Sequence, residues 1–109
     1  MAGRDPDALF ASLVARLSAH PDVTPPTGGS GFGATGLKVG GKLFAMLTKG
    51  ELVVKLPRMR VEELVAAGTG QAFDPGHGRV MKEWVTVGPE HGGDWDELAD
   101  EALRFVGKR

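Results

Sequence analysis

The stretch FGATGLKVGGKLFAMLTKGELVVKL, residues 32–56, decides the fold of this chain. Short apolar runs are separated in it by glycine-containing turns, and the intervals leave no room for a crossover helix. The stretch therefore predicts an antiparallel meander of three strands, at Leu37–Val39, Lys42–Thr48 and Glu51–Leu56.

The middle strand of this meander carries apolar side chains on both faces. Strict alternation places Leu43 and Leu47 on one face and Phe44 and Met46 on the other. We therefore expect the strand to be covered on both sides. The predicted core of the domain consists of Leu43, Phe44, Leu52, Val54, Leu64 and Trp95.

A first helix is predicted from about Pro6 to Ala19, because apolar residues recur there at helical spacing. Asp5 followed by proline is typical of an N-cap with proline in the first turn. The segment after this helix, His20–Gly31, is rich in proline and glycine and has no periodicity. We predict a loop there, of a length that is uncommon in compact domains.

A second helix is predicted from Arg58 to Ala67, with Gly68 as a left-handed C-cap. Its predicted buried stripe is Val61, Leu64 and Val65.

The rest of the chain predicts two strands and a last helix. The strands are expected at Gln71–Asp74 and Val80–Val87, joined by a turn at Pro75–Gly78, and the helix begins near Asp94, which has capping-box spacing to Glu97. The buried stripe of this helix is predicted to be Trp95, Leu98, Ala102, Phe105 and Val106. The order α-β-β-β-α-β-β-α indicates an α+β fold, an antiparallel sheet packed by helices, in a single domain over residues 1–109.

The amino-acid composition excludes several classes of functional site. The chain has 109 residues and no cysteine, which excludes disulfides, thiolate metal sites and cysteine nucleophiles. It has no signal-peptide pattern, so we expect a cytoplasmic protein. The net charge of -1 conceals a basic centre, since residues 38–82 hold eight basic against four acidic residues, whereas residues 83–109 hold three against seven.

Gly31–Gly36 satisfies the pattern G-x-G-x-x-G, but a proline-rich loop precedes it and a strand follows it. A dinucleotide site needs a strand before the glycines and a helix after them, so tight-turn or close-packing glycines are favoured. A small-anion site near Lys38 or Lys55 stays open as an alternative.

The remaining chemistry-bearing residues give no catalytic pattern. His20, His77 and His91 lie far apart in proline- and glycine-rich turns, and the carboxylates of the last helix suit a solvated face at the positive end of the helix dipole. We therefore predict no enzyme, no catalytic residues, no cofactor and no metal site.

The order and spacing of five segments of the chain resemble those of a known family. The segments are FGATGLKVGGKLFAML (32–47), GELVVKL (50–56), Ala66–Gly68, Phe73 and GRVMKEWVTV (78–87), which together resemble the TfoX N-terminal domain family. That resemblance implies a secretion-chaperone-like α+β fold, related in shape to YjbR-like proteins. It also implies a small bacterial protein with no established catalytic residues.

The sequence predicts a non-enzymatic protein-interaction or regulatory module, with a protein partner or a second copy as its ligand. An alternative is a nucleic-acid-binding regulator that uses the basic centre, with an affinity that falls steeply with salt. No membrane contact is expected. The candidate interaction surface comprises Phe32, Lys38, Lys55, Arg58, Arg79, Lys82 and Trp84.

Overall fold

A computed structural model of the chain describes residues 5–26, 36–73 and 81–108. This part of the chain contains three α-helices, α1 (Pro6–Leu17), α2 (Arg58–Ala66) and α3 (Trp95–Gly107), and a 3-10 helix (Pro89–Asp94) that leads into α3. It also contains six strands, β1 (Val23–Thr24), β2 (Gly36–Val39), β3 (Lys42–Thr48), β4 (Glu51–Lys55), β5 (Gln71–Phe73) and β6 (Met81–Val87).

All six strands form one antiparallel sheet in the order β1-β2-β3-β4-β6-β5. The predicted α+β class and the predicted meander, now β2 to β4, are confirmed. The predicted loop is wrong at Val23 and Thr24, which pair with Val39 and Lys38 as an edge strand. A two-residue strand next to prolines leaves no periodicity that a sequence pattern could reveal.

Two tight turns close the meander. Gly40 and Gly41 have φ values of 57° and 83°, and Lys49 and Gly50 have φ values of 53° and 78°. Positive φ at both central residues is the geometry of a type I′ hairpin turn. Lys49 therefore occupies a left-handed conformation that glycine or asparagine adopts more easily.

The three helices cover one face of the sheet, which we call the inner face. Its core includes Leu13 of α1, Val54 and Val85 of the sheet and Trp95 of α3. Trp95 is 1% exposed, and its Nε1 donates a hydrogen bond to the carbonyl of Gly88 at 3.1 Å. The indole thus fastens the start of α3 to the end of β6.

The opposite, outer face carries a smaller apolar cluster, to which the described strands contribute Met46, Val53, Phe73 and Trp84. Leu43 packs against it and is only partly buried, so its prediction as a core residue was too strong.

The predicted division of β3 into two faces is wrong. Leu43 and Met46 both pack in the outer cluster, whereas Phe44 lies in the inner core. The cause is a β-bulge: Leu37 pairs with Ala45 and Lys38 with Leu43, which leaves Phe44 as an extra residue in β3. Alternation therefore breaks in mid-strand.

The helix ends match the predictions unevenly. Asp5 caps α1 as predicted, with its Oδ1 accepting from the Asp7 amide at 3.0 Å, but the helix ends at Leu17 rather than Ala19. The capping box at Asp94 is wrong, because Asp94 makes no side-chain cap bond. Its backbone is helical (φ -96°, ψ -8°) at the end of the 3-10 helix, whereas a capping residue needs an extended backbone.

The predicted buried stripe of α3 is confirmed at four positions and is wrong at Phe105, which is only partly buried. Ala99, absent from the prediction, is fully buried. None of the helices in the described part of the chain has the length and hydrophobicity needed to cross a bilayer.

Candidate functional site

A groove of about 350 Å³ runs between α2 and the neighbouring edge of the sheet. The helix contributes Arg58, Val61, Glu62, Val65 and Ala66 to its walls. Strands β5 and β6 contribute Ala72 and Lys82. Small apolar side chains therefore form its interior and charged side chains its margin. We call it the α2–β5 groove.

The way α2 ends creates this groove. Gly68 has φ +80°, its amide donates to the carbonyl of Val65 at 3.1 Å, and the amide of Thr69 donates to the carbonyl of Leu64 at 3.0 Å. These two bonds form a Schellman motif, which confirms the predicted left-handed C-cap at Gly68. The chain reverses there and returns as β5 beside the helix it has just left.

Gly70 lets the returning chain lie close to β6. A Cβ atom at this position would lie 2.6 Å from Cγ2 of Val85 and 3.2 Å from the carbonyl oxygen of Thr86. Only glycine fits without displacing β6. The close approach sets β5 against β6 and fixes the distance between β5 and α2.

Helix α2 exposes apolar side chains, of which Val65 lines this groove. Met59 is 76% exposed and Val65 is 42% exposed, and they are the large hydrophobic residues most exposed in the described part of the chain. The predicted buried stripe is therefore wrong at Val65. Val61 and Leu64 point into the core, and the next residue after Leu64 lies about 100° further around the helix, on the groove side.

Within the described residues, the basic side chains at the groove margin are not held in strong ion pairs. Arg58 Nε lies 3.2 Å from Glu62 Oε2, and both side chains are more than 60% exposed. An exposed i, i+4 pair contributes only about 0.3–0.5 kcal/mol, so Arg58 can exchange its partner at little cost. Lys82 is exposed and takes part in no ion pair formed by residues 5–26, 36–73 and 81–108.

The outer face holds the second group of basic residues. Lys55 pairs in register with Trp84, and its Nζ lies 5.9 Å from the centre of the indole ring. Lys38 pairs with Leu43, whose side chain packs in the outer cluster, so Lys38 lies on the same face. Trp84 is 6% exposed, so its ring supports Lys55 and has little surface left for a partner.

In a comparison with protein families, residues 18–103 match the family model described as YjbR. The chain belongs to the YjbR family. No curated protein and no solved structure matched the chain. The YjbR match begins just after α1 and ends within α3, so it includes the whole sheet and the α2–β5 groove. It is the family to which the sequence resemblance related this fold.

The predicted interaction residues of this YjbR chain fall into two separate places. Arg58 and Lys82 line the α2–β5 groove, whereas Lys38, Lys55 and Trp84 belong to the outer face. Phe32 and Arg79 lie outside the described residues, and so does the predicted turn at Pro75–Gly78. Four further surface residues were not predicted from the sequence: Met59, Val65, Ala66 and Ala72. Met59 gave a signal, because it does not fit the helical stripe of its neighbours.

Five of the G-x-G-x-x-G residues of this YjbR chain, 31–35, also lie outside the described residues, and Gly36 is the one that can be placed. A Cβ on Gly36 would lie 2.7 Å from the carbonyl oxygen of Ala45 and closer still to the Leu43 side chain. Close packing of β2 on β3 is therefore sufficient reason for this glycine.

The acidic residues of α3 bind arginines of the neighbouring helices. Arg16 of α1 contacts Asp96 and Asp100 at 3.1 and 3.0 Å, and Arg60 of α2 contacts Glu101 at 2.9 Å. The hydrogen bonds to Asp100 and to Glu101 raise the pKa of Arg16 and of Arg60, respectively, above the usual arginine value. These carboxylates hold helices together, a role that the predicted solvated face did not include.

The described histidines do not converge. His20 is exposed, and its Nδ1 accepts from the amide of Asp22 at 3.2 Å within a turn, while His91 lies in the 3-10 helix before α3. His77 lies outside the described residues. Among residues 5–26, 36–73 and 81–108, no three histidine or carboxylate side chains are grouped as metal ligands would be.

Proposed function

We propose that this YjbR domain is a non-enzymatic protein-interaction module that binds a segment of a partner protein in the α2–β5 groove. The observation that carries the proposal is the exposed apolar surface of α2, where Val65 is 42% exposed and lines the groove together with valine and alanine side chains. Exposed apolar surface with a polar margin is typical of protein-binding sites. We also propose that the protein has a regulatory role, that it is cytoplasmic, and that it is related to the TfoX N-terminal domain family.

Two basic residues, Arg58 and Lys82, line the groove against one acidic residue, Glu62, and this net positive lining favours an acidic partner segment. Lys82 is available for a carboxylate, and Arg58 is held by an exposed pair that a second carboxylate can replace. The interior of the groove accepts an apolar side chain of modest size. We therefore commit to a segment that combines an aliphatic residue with a nearby Asp or Glu.

Selection from a library of displayed random peptides tests this function with the intact chain. We expect enrichment of peptides with an aliphatic and an acidic residue, and loss of their binding in Ala66→Asp. Ala15→Asp is the matched control, because both alanines are exposed and lie near the C-terminal end of a helix. Peptides that bind both variants as well as the parent chain would contradict a site in the groove.

A second candidate function, nucleic-acid binding, is favoured by Lys38 and Lys55 on the outer face. Neither is in an ion pair within the described ranges, and Lys55 is positioned by Trp84. Because Trp84 is buried, we expect phosphate contacts without base stacking.

A titration with labelled duplex and single-stranded DNA at about 50 mM salt, with Lys38→Ala/Lys55→Ala as the variant, tests this second function. The salt slope should fall by about one per lysine removed. Absence of binding at that salt concentration would eliminate the candidate.

A further inference from the structure

We propose that the occupant of the α2–β5 groove is an extended peptide that adds as a further strand of the sheet to the edge of β5 that faces away from β6. This inference rests on the proposed function, because it specifies how the same groove binds its partner. It predicts recognition by backbone hydrogen bonds along β5 together with one or two side chains in the groove.

The position of β5 in the sheet is the first observation. Within the described strands, β5 is terminal in the order β1-β2-β3-β4-β6-β5 and pairs with β6 alone. A terminal strand has backbone N–H and C=O groups that point away from its neighbour and can pair with an added chain.

The second observation is that this edge and the groove share a residue. Ala72 is the middle residue of β5, it is exposed, and it also lines the groove beside Val65 and Ala66 of α2. A chain added to β5 would lie about 4.8 Å from it, and alternate side chains would point to the face that α2 covers. Those side chains enter the groove, while the intervening ones point to the outer face.

The third observation is the charge pattern along the groove. Lys82 lies on β6, and Arg58 lies at the start of α2. Both are at the margin, so an acidic side chain on the groove side of the added strand can reach a cation while its neighbour two residues away contacts Val65. The partner is therefore a short extended segment in which an aliphatic and an acidic residue are separated by one position.

Experiments can distinguish an added strand from two other possible occupants of the groove. An amphipathic helix would use the exposed face of α2 and would need anchors three and four residues apart, with no contribution from the backbone of β5. A second copy of this chain would pair β5 with β5 and would show concentration-dependent dimerisation.

The test uses the peptides enriched on the intact chain, each resynthesised with single N-methyl groups along its backbone. N-methylation of alternate residues should weaken binding by about tenfold, and methylation of the residues between them should have little effect. Replacement of a central residue by α-aminoisobutyric acid, which favours helix and opposes strand, should also weaken binding. The protein is unchanged in these measurements, so misfolding of a variant cannot produce the result.

Amide exchange of Gln71–Phe73 provides the matching measurement on the protein. We expect slower exchange of at least one of these amides with peptide bound. Peptides that tolerate N-methylation at alternate positions, or that accept α-aminoisobutyric acid and need anchors at i and i+3 or i+4, would overturn strand addition while leaving the groove as the site. Peptides that bind without dependence on Ala66 would overturn the proposed function as well. Dimerisation of the free chain that the peptides do not reverse would assign the edge to a second copy.

Discussion

Helix α3 lies over β3 and β4, and helix α2 lies over β6 and β5 on the same face of the sheet. Helix α3 buries Trp95, Leu98, Ala99, Ala102 and Val106, whereas α2 buries Val61 and Leu64. The remaining apolar side chains of α2 face solvent or the groove. The difference indicates that α3 contributes more to the core than α2, which is held by two buried side chains and by the Arg60–Glu101 ion pair, so that more of its surface is left for binding.

The largest effect on stability is expected for Trp95→Ala, which tests the contribution of α3 to the core. Trp95 is almost completely buried and joins α3 to Gly88, so its removal leaves a large cavity and takes away one of the hydrogen bonds to the Gly88 carbonyl. We expect the free energy of unfolding to fall by about 3–5 kcal/mol, measured by urea denaturation. A midpoint shift no larger than that of an exposed substitution such as Ala15→Ser would contradict the role given to α3.

Adjacent residues of α2 sharpen the comparison. Leu64→Ala should lower the free energy of unfolding by about 2 kcal/mol or more, because Leu64 is buried in the inner core. Val65→Ala should change it by about 0.5 kcal/mol or less, because Val65 is 42% exposed and lies outside the buried core. Equal losses in the two variants would show that the groove side of α2 is part of the core.

Sequence patterns predicted the elements of this fold well, because each is marked by local chemistry. The glycine turns and the apolar run of β3 defined the meander, and Asp5 and Gly68 marked helix ends. What failed depended on tertiary contacts. A bulge opposite Leu37 reversed part of β3, and the 3-10 helix before Trp95 removed the capping box.

The candidate site was less predictable than the fold. Arg58 and Lys82 were named from charge alone, but the groove between them requires the reversal at Gly68 and the close approach at Gly70. The sequence also grouped them with Lys38 and Lys55, which lie on the other face. A sequence gives charge and periodicity, but the face of a sheet that a residue occupies depends on register.

The Schellman motif allows a smaller test that concerns the end of α2. Gly68→Ala places a side chain at φ +80°, where nothing lies within 4 Å of the new Cβ, so backbone strain is the main cost. We expect a loss of about 1 kcal/mol. Gly93→Ala is the matched control, since it also has open space around its Cβ but lacks a positive φ, and it should be nearly neutral. A neutral Gly68→Ala would mean that the reversal into β5 does not depend on this turn.

The smallest expected effect concerns the ion pair that links the two helices. Arg60 binds Glu101 of α3 through two nitrogens, at 2.9 and 3.1 Å, and both side chains are partly exposed. Glu101→Gln should therefore lower the free energy of unfolding by about 0.2–1 kcal/mol, and by less in 1 M salt. Glu62→Gln, which affects only the exposed pair within α2, should cost less.

The pH dependence of the free energy of unfolding tests whether Arg60 and Glu101 form a simple ion pair. The hydrogen bond to Glu101 raises the pKa of Arg60 above the usual arginine value, so the stabilisation from the arginine is complete below that usual value and is lost only as the pH rises through the folded-state pKa. Between pH 6 and 9 the difference between Glu101→Gln and the parent chain should stay constant. A difference that changes across this interval would show that another titrating group takes part in the junction of α2 with α3, and the two helices would then not be joined by a simple arginine–carboxylate pair.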